Sequence, residues 1–138
     1  MITYLDSSVI LDRIVDAPGA AELWRSIEGA VTSVISETEC LRTMDRFRLA
    51  GRMNDTSLIR ARESLFRILE SAEIIALGRG VLDRASLPMP IPVKTLDAVH
   101  LASATLYRET NGPLNVATND RALARAARAM GFEVLGAA

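Results

Sequence analysis

Four carboxylates stand where an apolar stretch has just ended or a core helix is about to begin. Asp6 follows "ITYL", and Asp120 follows "LNVAT" and an asparagine. Asp97 lies in the first turn of "TLDAVHLASATLYRET". Glu37 and Glu39 come just after "AVTSVIS", and one of them completes the set. Singly, each acid has a plain structural reading. An acid in a helix's first turn gains about 0.3 to 1 kcal/mol from the helix dipole, which accounts for Asp97 and for Asp120. Asp12 and Asp16 fit a solvated helix or loop. Asp6 is harder to place, because burying a carboxylate without a partner costs on the order of several kcal/mol. If the four converge, they cannot all ionise unaided, and a divalent cation resolves the conflict. With one cysteine and one histidine in the chain, the donors are hard oxygens. That set suits Mg²⁺, with Mn²⁺ as a substitute, better than zinc.

No other set of reactive residues competes. His100 is the only histidine and Cys40 the only cysteine, so neither a Ser-His-Asp nor a Cys-His arrangement stands out. His100 follows Asp97 by three residues and shares its helix face. It reads as a packed or hydrogen-bonded histidine, and Cys40 as a space-filling residue in a helix. Gly78 and Gly80 are turn residues, too few for a phosphate-binding loop.

The elements that must position these acids alternate. Short apolar strands are expected at 2–5, 30–36, 73–77, 114–118 and 132–136. Helical spacing occupies 8–15, 18–28, 37–50, 56–71, a short stretch near 78–87, 95–110 and 119–130. In the 56–71 helix, Leu58, Ile59, Leu65, Phe66 and Leu69 are expected inward and the arginines outward. "PMPIP" at 88–92 is extended. This alternation, without repeats or a long linker, predicts an α/β fold over residues 1–138 as a single domain. It is a three-layer α/β/α sandwich around a central, mostly parallel five-stranded sheet. Such sheets carry their sites beyond the carboxyl ends of the strands, where Asp6, Thr118, Asn119 and Asp120 fall.

Composition narrows the class. The 138 residues are 49% hydrophobic, enough for one core, and the net charge is −1, which gives no global basic field. Fifteen of the 16 basic residues are arginine and one is lysine, Lys94. A biased genome accounts for that, or a need for forked contacts to carboxylate and phosphate. The single cysteine allows no intrachain disulfide. The amino terminus lacks a signal pattern and no apolar run is long enough for a membrane span. A soluble cytoplasmic protein is expected.

Four blocks, in order, resemble the PIN-domain ribonucleases, and specifically the VapC-type toxins of bacterial toxin–antitoxin pairs. "YLDSSVIL" resembles the opening strand with its metal-binding Asp and a following hydroxyl residue. "TSVISETECLR" resembles the segment with the second acid, and there Glu39 rather than Glu37 stands at the matching place, just before "CLR". "TLDAVHLASA" is similar to the third-acid helix, and "VATNDRALARAA" to the fourth block. The resemblance implies that Asp6, Glu39, Asp97 and Asp120 bind Mg²⁺ and catalyse hydrolysis of RNA. Asp6, Asp97 and Glu39 would hold the first ion, and Asp120 would orient water or share a second. Ser8 and Thr118 would support a carboxylate or a metal-bound water, or else serve as caps. Asn119 departs from the residue often found there and is expected to support the site by an added contact or to cap a helix.

RNA approaching four carboxylates needs positive charge nearby. Arg42 and Arg46 follow Glu39 by three and seven residues on about the same face, Lys94 precedes the Asp97 helix, and Arg121 follows Asp120. These are candidates for contact with RNA or with an inhibitory partner, against the alternative of solvated charges. Six aromatic residues give no base-stacking stripe, and Trp24 and Phe66 suit the core or an interface. The resemblance further implies a homodimer and a small VapB-type antitoxin lying along the toxin's groove. The competing reading is a PIN-like module that binds RNA or protein without cleaving it, and the intact acid set argues against it. A phosphoacceptor domain would want a second acid where Ser8 stands.

Overall fold

Residues 1–136 are described by a computed structural model. β1 (Ile2–Leu5) leads into α1 (Ser7–Ile14), and α2 (Ala20–Arg25) follows a short link. β2 (Gly29–Ser33) runs directly into α3 (Val34–Leu49), and α4 (Asp55–Glu70) precedes β3 (Glu73–Ile75). Then come α5 (Arg79–Ala85), α6 (Thr95–Asn111), β4 (Leu114–Thr118), α7 (Arg121–Ala129) and β5 (Val134–Gly136). The five strands form one sheet in the order β3-β2-β1-β4-β5. Every pairing is parallel, so the expected mostly parallel sheet is wholly parallel.

Both sheet faces are covered, which is why the strands read as short continuous apolar runs. Alternate residues serve opposite cores. Tyr4, Val31, Leu114 and Val116 pack with Leu101, Leu123 and Phe132 under α6 and α7. Leu5 and Ala117 pack with Val9, Ile10, Cys40, Met44 and Leu65 under α1, α3 and α4. These are the outer layers of the expected α/β/α sandwich. A smaller cluster of Val81, Val99 and Ala102 ties α5 to α6.

Two sequence expectations are corrected. The second strand ends at Ser33, not at residue 36. Ser33 caps α3 by accepting from the Ile35 N–H, so Val34, Ile35 and Ser36 are helical. A side-chain acceptor at the cap overrides the strand preference of the Val-Ile pair. On α4, Leu65 is buried and Leu58 and Leu69 are half-buried, but Ile59 and Phe66 are exposed. The helix buries a narrower stripe than its apolar content suggests, and the Arg62 guanidinium lies over the Phe66 ring at 6.0 Å.

The sheet order reverses direction at β1: the chain goes to β2 on one side and returns to β4 on the other. The gap between the carboxyl ends of β1 and β4 is therefore the switch point where open parallel sheets place their sites. The Asp6 N–H continues the ladder to the Ala117 carbonyl at 3.0 Å. Beside it, Gly136 ends β5 at φ +100°, and an added Cβ there would stand 2.4 Å from the Thr118 carbonyl oxygen and 2.8 Å from Asn119 Oδ1. Gly136→Ala is expected to cost about 1 to 3 kcal/mol by urea denaturation, from strain and collision together. An unfolding midpoint equal to wild type would refute that account of the β4 edge.

Candidate functional site

Asp6 stands at the N-cap of α1 with extended backbone, φ −77° and ψ 155°, yet its side chain makes no capping bond. Its carboxylate turns instead into the switch point, 5% exposed at the residue level. Three neighbours explain how it is tolerated there. The Ser8 hydroxyl donates to Oδ2 at 2.7 Å and the Thr118 hydroxyl donates to the same oxygen at 2.8 Å. His100 Nε2 lies 3.5 Å from Oδ1. One carboxylate oxygen is thus anchored to β4, and the other faces the remaining acids. The Ser8 oxygen also accepts the Asn119 N–H at 2.9 Å, and the Thr118 oxygen accepts the Asp120 N–H at 3.0 Å. Ser8 and Thr118 therefore act as carboxylate supports.

Glu39 projects from the second turn of α3 and is half-buried. Its Oε1 lies 2.5 Å from His100 Nε2. Donor atoms of Asp6, Glu39 and His100 all fall within 4.8 Å of one another, a grouping able to hold a metal ion. Sequence reasoning placed His100 on the Asp97 face as a hydrogen-bonded residue, but did not foresee that it would meet Asp6 and Glu39 directly. The signal available was only the spacing of three from Asp97.

Asp97 and Asp120 stand outside that tight group but within its field. Asp97, partly buried in the first turn of α6, has its carboxyl pushed above the usual range by burial. The charges of Asp120, Asp6 and Glu39 add to the rise, and His100 opposes it. Three of the four expected acids thus act on the carboxyl of the fourth, each from a different part of the fold. Asp120 is exposed and caps α7: its Oδ1 accepts the N–H groups of Ala122 at 2.8 Å and Leu123 at 3.2 Å. Of the two roles expected for Asn119, it does not cap a helix, because Asp120 does, and it makes a contact instead. Its side-chain amide donates to the Asp12 carboxylate, tying the β4 end to α1. Asp12 is correspondingly a tether rather than a solvated acid.

The chain meets this crowding of negative charge with His100. Burial alone would favour the neutral ring. The hydrogen bond that the ring donates to Glu39 and the charges of Asp6, Glu39 and Asp97 overcome it, and the ring's pKa is raised. Tyr4 Oη sits 2.7 Å from His100 Nδ1. Its phenol is pushed well above its ordinary range by burial and by Asp6, so it stays protonated. The Cys40 thiol behind the site is pushed up to about 12 by burial, then by Glu39 and Asp6, and is inert as a nucleophile.

A groove of about 520 Å³ opens beside Glu39, lined by Ser7, Ile35, Glu39, Arg42, Arg46 and Leu96 among others. The face shared by Glu39, Arg42 and Arg46 is therefore one wall of an open channel. Both arginines rest on weak local partners: Arg42 lies 3.4 Å from Asp45, and Arg46 donates to the Thr43 hydroxyl at 2.8 Å. Lys94 is the exposed N-cap residue of α6, and Arg121 is the exposed first residue of α7. Among the described residues neither forms a salt bridge with the acids. A comparable cavity of about 490 Å³ near Arg13, Trp24 and Arg67 contains none of these groups.

The donor chemistry fits a hard divalent cation. Asp6 Oδ1 meets only one hydroxyl among the described residues, that of Ser7 at a long 3.5 Å, Glu39 faces it, and no thiolate takes part. Without a cation, proton uptake does the balancing. His100 holds its proton more tightly in the fold than the ordinary value of 6.5, so this stabilisation is complete below about 6.5 and lost as pH rises through the higher folded value. Asp97, also raised, contributes below 3.8 and loses its contribution above. The urea midpoint of metal-free protein is accordingly expected to fall as the pH rises above about 6.5, and His100→Gln to flatten the fall. A midpoint that climbs over that range would contradict the assigned charges.

The family model described as PIN domain matches residues 3–129. Ribonuclease VapC46 of Mycobacterium tuberculosis is 30% identical over 139 aligned residues, covering 96% of this chain and 95% of its own. Ribonuclease VapC47 of the same species is 28% identical over 137, covering 94% and 92%. Among solved structures, a toxin–antitoxin complex from Klebsiella pneumoniae superposes with TM-score 0.67 at 17% identity, over 96% of this chain and 95% of that one. VapBC-1 of nontypeable Haemophilus influenzae superposes with TM-score 0.61 at 15% identity, over 99% and 98%. These superpositions establish likeness of fold.

Proposed function

Because the chain belongs to the PIN-domain family, we propose that it is a VapC-type endoribonuclease toxin that hydrolyses RNA phosphodiester bonds in a Mg²⁺-dependent reaction. The observation that carries this reading is the convergence of Asp6, Glu39 and His100 within 4.8 Å, with Asp97 raised by Asp120, Asp6 and Glu39. The two VapC ribonucleases that align along nearly the whole chain support it.

Asp6, Glu39 and Asp97 would hold the ion, with Asp120 at the outer edge for a water or a second ion. A bound Mg²⁺ supplies activation of water and neutralisation of charge on the scissile phosphate. The protein's own part is positioning. Ser8 and Thr118 fix one oxygen of Asp6 so that the other points inward. Asp120, half-committed to its cap, keeps its second oxygen for an attacking water. The groove beside Glu39 offers Arg42 and Arg46 to RNA phosphates next to the cut, and Lys94 and Arg121 extend that charge. Ile35 and Leu96 give the groove apolar contact without an aromatic platform, which favours recognition by shape and phosphate. A VapB-type antitoxin would occupy the same groove in the inactive complex. We infer a homodimer acting in the cytoplasm. No helix among the described residues is long and apolar enough to cross a membrane.

The test is cleavage of total cellular RNA by purified protein with Mg²⁺, with Mn²⁺ and with chelator. Asp97→Asn is expected to lower cleavage at least about 100-fold with the fold intact. Fragments that persist in chelator or in the variant would sink the metal-dependent reading. Separately, Arg42→Ala is expected to weaken RNA binding and to reduce the slope of log affinity against log salt by about 1. An unchanged slope would take Arg42 out of the phosphate path.

A further inference from the structure

We propose that His100 is a positioning residue for Glu39, and that Tyr4 fixes the ring from which it acts. The inference rests on the metal-dependent reading above and adds residues to it. Three contacts define a chain from sheet to site. Tyr4 Oη meets His100 Nδ1 at 2.7 Å, and His100 Nε2 meets Glu39 Oε1 at 2.5 Å and Asp6 Oδ1 at 3.5 Å. The two rings also pack edge to face, with centroids 5.8 Å apart and an interplanar angle of 73°. Tyr4 is 0% and His100 1% exposed, so water does not compete for these bonds.

The proton arrangement follows from the partners. A neutral ring that accepts the Tyr4 O–H at Nδ1 must carry its hydrogen on Nε2. A doubly protonated ring carries one there as well. In either state an N–H points from Nε2 to Glu39. Glu39 stands on a long side chain at an open groove, and nothing else described holds its carboxylate. Tyr4 is in β1 and Asp6 directly follows that strand, so β1 sets the position of both acids: Asp6 directly, and Glu39 through Tyr4 and His100. Partners of this kind commonly change metal affinity about 10- to 100-fold when removed. His100 is also close enough to serve as a ligand itself, and a glutamine in its place separates the roles. Its amide can still donate to Glu39 but is a poor replacement for an imidazole ligand.

Mn²⁺ binding to the full chain by titration calorimetry tests the proposal, with thermal unfolding of each variant as a check of folding. His100→Leu is expected to bind about 10- to 100-fold more weakly than wild type. His100→Gln is expected to stay close to wild type, and Tyr4→Phe to lose part of the affinity. In a Glu39→Gln background, His100→Leu is expected to cost nothing more, because its effect runs through Glu39. The lone histidine gives one pair of ring signals in ¹⁵N NMR of the metal-free protein, and Nε2 is expected to be protonated. His100→Leu binding as tightly as wild type would overturn the proposal, as would His100→Gln falling as far as His100→Leu. A neutral ring with its proton on Nδ1 would do so too, and decides the matter should His100→Leu fail to fold. Wild type that binds no Mn²⁺ would remove the metal-dependent reading and this role with it.

Discussion

Carboxylates brought together in a medium less polar than water repel one another strongly, and this repulsion is the constraint around which the structure is arranged. Asp6 is almost fully buried at the carboxyl end of the central strand, with Glu39, Asp97 and Asp120 within electrostatic reach. Hydroxyl groups from α1 and β4 anchor one side of Asp6, and a histidine faces the other. Without these donors the charge would be an uncompensated cost at the centre of the sheet. With them, Asp6, Glu39 and His100 form a group that could hold a metal ion.

The fold makes such a site possible by where it places strand ends. A parallel sheet that reverses its order at β1 leaves a crevice between β1 and β4. Each acid comes from a different element, α1, α3, α6 or α7, at or near that element's start. Helix starts present unpaired N–H groups and a favourable dipole, so acids are tolerated there more readily than elsewhere. Asp120 accepts two of those groups with one oxygen, whereas Asp6 forgoes them for the hydroxyls of Ser8 and Thr118. That difference in hydrogen bonding separates an acid that caps from an acid committed to the crevice.

The same arrangement explains the groove. The face of α3 that carries Glu39 continues through Arg42 and Arg46, so negative and positive groups lie along one helix. The acids would hold a cation where a phosphate reacts, and the arginines would receive the phosphates beside it. The VapC relatives align over nearly the full chain at 28 to 30% identity, and the structural neighbours share its fold at lower identity. At that distance the fold is the common ground.

Local signals were sufficient for much of this. Apolar runs, turn residues and alternation gave the α/β/α sandwich, and the resemblance carried by four blocks in order gave the family, with Asp6, Glu39, Asp97 and Asp120 as its expected acids. The strands and helices are legible because strand burial and helix periodicity act over a few neighbouring residues. Boundaries set by a single competing hydrogen bond were less so, as at Ser33, where a cap turned "VIS" from strand to helix. Inward and outward positions on α4 depended on which neighbours cover it, and Ile59 and Phe66 lie outside that cover. Contacts between distant residues were not legible at all. Asn119 binds Asp12, and Tyr4 and His100 join Glu39, across separations of 107, 96 and 61 residues. Sequence determined which residues carry charge and which elements bear them. Only tertiary structure decided which donor faces which carboxylate, because that depends on strand order and packing angle, which no local pattern encodes.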